Sequence, residues 1–141
     1  MPSPDEPMPA DPVRVSGWLG LLCRVLMLWH PLAQGVVAAN AFHALSMRGL
    51  PLALVLLGRL AVAAFGVAAG LALRRRLAAG VRMAQIALVL AAAADIFVYA
   101  TPYVPNNRPP GDAELILAGW LAWYAAWLIY LWRSKRVRET Y

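Results

Sequence analysis

Charge is scarce in this chain of 141 residues. Only 14% of them are Asp, Glu, Lys or Arg, where an ordinary soluble domain carries roughly 25%. With 62% of residues hydrophobic, too little polar side chain is present to cover a surface of this size in water. That shortage excludes a soluble globular domain. Cysteine is almost missing as well. The single Cys23 excludes a disulfide framework and a cysteine-based metal centre, and reads as a small buried apolar residue. The only histidines, His30 and His43, sit at different depths of one segment, whereas haem ligation between helices wants a matched pair. His30, just before Pro31, is expected to be a hydrogen-bonded packing residue. No phosphate loop, nucleophile with a base, or metal-spaced cluster occurs, and a second embedded acid for acid–base work is missing. No catalytic residue, metal or cofactor is expected, and the chain does not read as an enzyme.

What is present is four long apolar runs. They cover about 17–40, 50–73, 83–103 and 113–132, each near the roughly 20 helical residues that cross a hydrocarbon core of about 30 Å. None alternates like a strand, which argues against a barrel. The expected fold is an all-α membrane protein, a four-helix transmembrane bundle with antiparallel neighbours joined by short connections. Residues 1–16 are acidic and proline-rich, the wrong sign for a secretory leader, and are expected to be a retained, disordered tail. The transmembrane domain then covers 17–134 and a basic tail 135–141.

The bases set the direction. With both termini inside, nine of the 13 basic residues fall on the inner side: Arg14, then Arg74, Arg75, Arg76 and Arg82, then Arg133, Lys135, Arg136 and Arg138. The outer loops hold only Arg48 and Arg108, and Arg24 and Arg59 lie within spans. This bias follows the positive-inside rule. It also accounts for the net charge of +6 without nucleic acid, since the bases end apolar runs and do not line a face with interleaved aromatics. The outer loop Thr101–Gly111 carries four prolines and cannot continue a helix. Asp112 then stands where an N-cap is expected, with Glu114 facing the positive end of the next helix.

Within the spans a few residues stand out. Pro31 frees a carbonyl and should kink the first span, which could then end early or run on to Asn40. Gly58, Gly66 and Gly70 are spaced by multiples of four on the second span, and Ala91–Ala94 on the third, so these two spans are expected to form a close-packed hairpin. Arg59 and Asp95 are each costly in a bilayer, at least about 2.5–3.5 kcal/mol on insertion scales. Asp95 lies about 9 Å and Arg59 about 13 Å below the same interface at 1.5 Å per residue, within reach of an arginine stem. They are expected to form an intramembrane ion pair. It either fixes packing and register or serves a substrate or proton path. Trp120, Trp123, Trp127 and Tyr130 form one aromatic face. They either fill the bundle or, with Tyr99 one turn from Asp95, line a cavity for an apolar or cationic ligand. Arg24 is expected to snorkel to the inner headgroups or share an anionic lipid. Arg133, Lys135, Arg136 and Arg138 offer a contact surface for anionic headgroups or a protein partner.

Ser16-Gly-Trp-Leu19, His30-Pro-Leu32, Arg74-Arg-Arg76, Asp95 and the ending Trp127-Leu-Ile-Tyr130 with Arg133-Ser-Lys-Arg-Val-Arg-Glu-Thr-Tyr141 together resemble the bacterial membrane family labelled domain of unknown function 2569. The resemblance implies a four-span inner-membrane protein and carries no assigned activity. Two departures stand against it: the first outer loop is short, and the second span holds Arg59 without an acid. The sequence slightly favours a scaffold or accessory subunit of the bacterial cytoplasmic membrane. The alternative is a small oligomeric transporter with Asp95 as the coupling residue. A reporter fused after Tyr141 is expected to be active only as a cytoplasmic enzyme; activity restricted to the periplasm would overturn the orientation.

Overall fold

The computed structural model describes residues 17–104, 109 and 111–140. The expected tail 1–16, Arg108 and the side chain of Arg136 lie outside the described residues. Among the described residues there is no strand. Four helical spans are long and apolar enough to cross a membrane: Trp18–Phe42, Leu45–Arg74, Gly80–Ala100 and Asp112–Arg133. The chain is a multi-pass, all-helical membrane protein.

The first span consists of α1 (Trp18–Arg24), a π-helical turn (Val25–Trp29) and α2 (His30–Phe42). Pro31 offers no N–H to the carbonyl one turn back. The irregularity this causes is a π turn, closed by the backbone N–H of His30 donating to the carbonyl of Val25. Such a turn inserts one residue without ending the helix. The span therefore passes Pro31 and runs to Phe42.

The second helix, α3 (Leu45–Arg74), is broken at Gly49, whose φ of 57° and ψ of −142° belong to glycine. Its regular part starts at Leu50. The third, α4 (Gly80–Ala100), follows a tight turn through Arg76 at φ 55°. Gly80 sits so close to the backbone of Ala72 that an added Cβ would lie 3.0 Å from its carbonyl. The fourth, α5 (Asp112–Arg133), has Gly111 at its N-cap and no side-chain cap. Asp112 is thus the first helical residue, not the cap, and acts with Glu114 through the helix dipole alone. After the extended Ser134, residues Lys135–Thr140 form a short helix, α6. Its Val137 is 3% exposed and joins the core with Leu19, Leu22, Leu73 and Leu131. Part of the expected basic tail is therefore packed against the bundle.

The helices pack in chain order, the first span on α3, α3 on α4 and α4 on α5. The expected hairpin of spans two and three forms, but the glycines do not build it. Gly66 and Gly70 face the first span: an added Cβ at Gly70 would lie 2.7 Å from Cγ of Met27 and 3.3 Å from the carbonyl of Cys23, and one at Gly66 would lie 3.5 Å from Nδ1 of His30. Gly58, expected to pack likewise, has nothing within 4 Å. One face of α3 meets α4 and another meets the first span, and spacing by fours does not say which neighbour a small face receives. Gly70→Val should destabilise the detergent-solubilised protein by about 1–3 kcal/mol through overpacking, read as a lower melting temperature, while Gly58→Leu should leave it unchanged.

Candidate functional site

Four polar side chains, one from each span, meet inside the bundle. Arg59 on α3 donates from Nη2 to Oδ1 of Asp95 on α4 at 2.9 Å, an ion pair whose side chains are 9% and 8% exposed. From Nε it also donates to Oε1 of Gln34 on α2 at 2.6 Å. The second carboxylate oxygen, Oδ2 of Asp95, accepts from the hydroxyl of Tyr124 on α5 at 2.8 Å. The depths counted along the helices bring Arg59 and Asp95 to one level, and the arginine stem closes the remainder. Charge compensation and charge-assisted hydrogen bonds to the neutral Gln34 and Tyr124 together hold down the insertion cost that either ion alone would carry.

This relay is the floor of a cleft of about 1120 Å³, slightly above the roughly 300–1,000 Å³ typical of small-molecule pockets. Its walls come from α2 on one side and from α4 and α5 on the other. Trp29, Leu32 and Val36 line it and are 53%, 64% and 55% exposed. In a bilayer those surfaces meet hydrocarbon, so the cleft opens sideways between the first and fourth spans. At the end of the bundle its mouth is bordered by Arg48, Thr101 and Pro102, where Nη1 of Arg48 donates to the carbonyl of Pro102. A smaller cavity of about 190 Å³ between α2 and α3 shares Gln34 and Arg59 with it.

The aromatic face of α5 divides. Trp120 and Trp123 line the cleft together with Tyr99. Trp127, expected there too, does not. It is buried in the core, edge-on to Trp18 at 6.3 Å, Trp123 at 5.7 Å and Tyr130 at 5.9 Å. Seven residues along a helix are about 10 Å, which moves Trp127 from the cleft to the end of the bundle closed by α1 and α6. Arg24, Arg133, Lys135 and Arg138 are exposed and play no part in the cleft. Among the described residues no three His, Cys, Asp or Glu side chains are grouped as a metal site.

Three residues of the site lie outside the sequence expectations or take another role than expected. Gln34 and Tyr124 complete the relay. A lone amide in an apolar span and a phenol in a run of indoles were the available signals, since each needs a partner in hydrocarbon. His30 differs from expectation. It is 8% exposed and lines the cleft, yet neither ring nitrogen has a hydrogen-bond partner among the described residues. Its ring packs by the bare backbone of Gly66 instead.

No family model, curated protein or solved structure matches this chain. Its geometry is that of a four-span membrane protein with a charge-balanced floor beneath a laterally open cleft.

Removing one partner of the pair leaves a buried charge. Arg59→Ala and Asp95→Ala should each cost about 3–5 kcal/mol, and the double replacement Arg59→Met with Asp95→Leu much less than their sum. Tyr124→Phe should cost about 1 kcal/mol. Chemical denaturation in mild detergent measures all four.

Proposed function

We propose that this protein is an accessory subunit of the bacterial cytoplasmic membrane that binds a small lipophilic molecule in its lateral cleft and presents it to a partner or a second copy of itself. The observation that carries the reading is the cleft of about 1120 Å³ over the Gln34–Arg59–Asp95–Tyr124 floor. A helix bundle that served only as a scaffold gains nothing from parting two spans and lining the space between them with indole and aliphatic side chains, because membrane helices associate through close packing. Binding without catalysis is the proposal, since the carboxylate and guanidinium are turned toward each other. The positive-inside bias of Arg74–Arg76, Arg82 and the C-terminal bases supports cytoplasmic termini. Arg24, Arg133, Lys135, Arg136 and Arg138 would then meet anionic headgroups. Membership of the family labelled domain of unknown function 2569 stays a proposal resting on the motifs quoted from the sequence.

One observation favours the transporter reading as a second possibility: Asp95 lines the cleft. As a coupling residue it would have to exchange Arg59 or Tyr124 for a proton or a cation during each cycle. The two readings share the cleft and differ in whether its occupant crosses the membrane.

Ala33 lines the cleft, and Ala33→Trp should plug it. Protein purified from native membranes should carry a defined small lipophile, identified by extraction and mass spectrometry, that the plugged variant lacks while keeping its melting temperature. Identical extracts from both proteins would overturn the binding function.

A further inference from the structure

Arginine carries more N–H donors than any other side chain and accepts nothing. In the floor of the cleft two nitrogens of Arg59 are engaged, Nε by the amide oxygen of Gln34 and Nη2 by Asp95. Nη1 has no acceptor among the described residues, although Arg59 is only 8% exposed. Gln34 adds a second donor. Because a guanidinium only donates, the bond from Nε fixes the amide with its oxygen toward Arg59 and Nε2 turned away. Nε2 also meets no acceptor among the described residues. Among those residues, the only side-chain nitrogens both covered and unpaired are the two of His30. Nη1 of Arg59 and Nε2 of Gln34 therefore keep open surface, on side chains that line the cleft and the smaller cavity beside it. An unpaired N–H is costly in hydrocarbon, so an acceptor placed there gains what a purely apolar occupant cannot.

Acceptors and net charge are not on offer in the same way. Oε1 of Gln34 and both oxygens of Asp95 already accept hydrogen bonds, and Arg59 and Asp95 cancel each other's charge. A cationic head at the floor would face N–H groups. An anionic head would remain uncompensated in a medium of low dielectric. Arg48, the other charged residue lining the cleft, stands at its mouth and donates from Nη1 to the carbonyl of Pro102. It lies more than about 13 Å along the chain of α3 from Arg59 at 1.5 Å per residue, so it does not offset a charge at the floor. A neutral head with an acceptor oxygen faces neither cost. The wall residues Trp29, Leu32, Val36 and Trp123 offer apolar surface continuous with the hydrocarbon of the bilayer, which suits a chain or ring system that never leaves it.

We propose that the cleft takes an uncharged lipophile bearing an acceptor oxygen, as a carbonyl group does, and that Nη1 of Arg59 and Nε2 of Gln34 bind this oxygen while the apolar body lies along the walls. The inference rests on the cleft being a binding site and adds the class of its ligand and the recognising donors.

Brominated probes that quench tryptophan fluorescence test both levels. The full chain in nanodiscs is titrated with 12-bromododecan-2-one, 1-bromododecane, 12-bromododecanoate and 12-bromododecyltrimethylammonium. Saturable quenching is expected with the ketone, about tenfold tighter than with the other three, the worth of one hydrogen bond, over a linear background from partition into lipid. With its carbonyl carbon isotope-labelled, the bound ketone should show an added C=O stretching band at lower wavenumber. That band should saturate with the quenching and be absent in Ala33→Trp. Making the whole floor apolar, by Gln34→Leu, Arg59→Met, Asp95→Leu and Tyr124→Phe together, leaves no ion unpaired and should erase the ketone's advantage over 1-bromododecane. Where that variant fails to fold, the infrared band decides. If the alkane or an ionic probe bound the wild-type protein as tightly as the ketone, the proposed ligand class would be wrong, with no variant needed. A ketone preference without the lowered band, or one kept over the apolar floor, would remove Arg59 and Gln34 from recognition and leave the cleft as a binding site. Linear quenching by every probe, unchanged in Ala33→Trp, would overturn the cleft reading itself and this inference with it.

Discussion

The arrangement of the bundle hangs on one buried contact, the guanidinium of Arg59 against the carboxylate of Asp95 at 2.9 Å. Neither ion is tolerable alone in hydrocarbon, and with both present the helices that carry them must turn toward each other. Gln34 and Tyr124 extend that requirement to the first and fourth spans. Apolar contacts between membrane helices are weakly directional because lipid competes for the same surfaces. A hydrogen-bonded relay is directional. It sets the rotation of four helices at one depth, and everything above it follows.

The cleft is the first consequence. Packing runs in sequence order from the first span to α3, α4 and α5, and the first and fourth spans meet through Trp18 and Trp127 near the end closed by α6. Toward the opposite end the first span is led away from α5. There the first span carries its π turn, and Gly66 and Gly70 hold that turn and His30 close to α3. The volume left between α2 and α5 has a polar floor and apolar sides, which is the division of labour found in sites that orient a ligand by a few polar groups and hold it by area.

Much of this was legible along the chain. Four spans, their approximate ends, the helical class and the Arg59–Asp95 contact all follow from how expensive exposed backbone and unpaired charge are in hydrocarbon. Depth counted at 1.5 Å per residue is enough to say that these two residues can meet. The same arithmetic could not place Gly66 and Gly70 against the first span, nor separate Trp127 from Trp120 and Trp123, because a helix face seen in one dimension does not name its neighbour. His30, expected beside Pro31 as a hydrogen-bonded packing residue, has no hydrogen-bond partner among the described residues.

By itself, then, the sequence determined the solvent, the number of crossings and the residues that had to be neutralised, since each of these is a property of single residues or single segments in a low-dielectric medium. Tertiary structure decided which helix face met which, that Gln34 and Tyr124 would complete the relay, and that the first and fourth spans would part to leave a cleft with His30 on its wall. Those outcomes depend on the mutual rotation of four helices. Rotation is settled only when the polar contacts and the close-packed glycines are satisfied together.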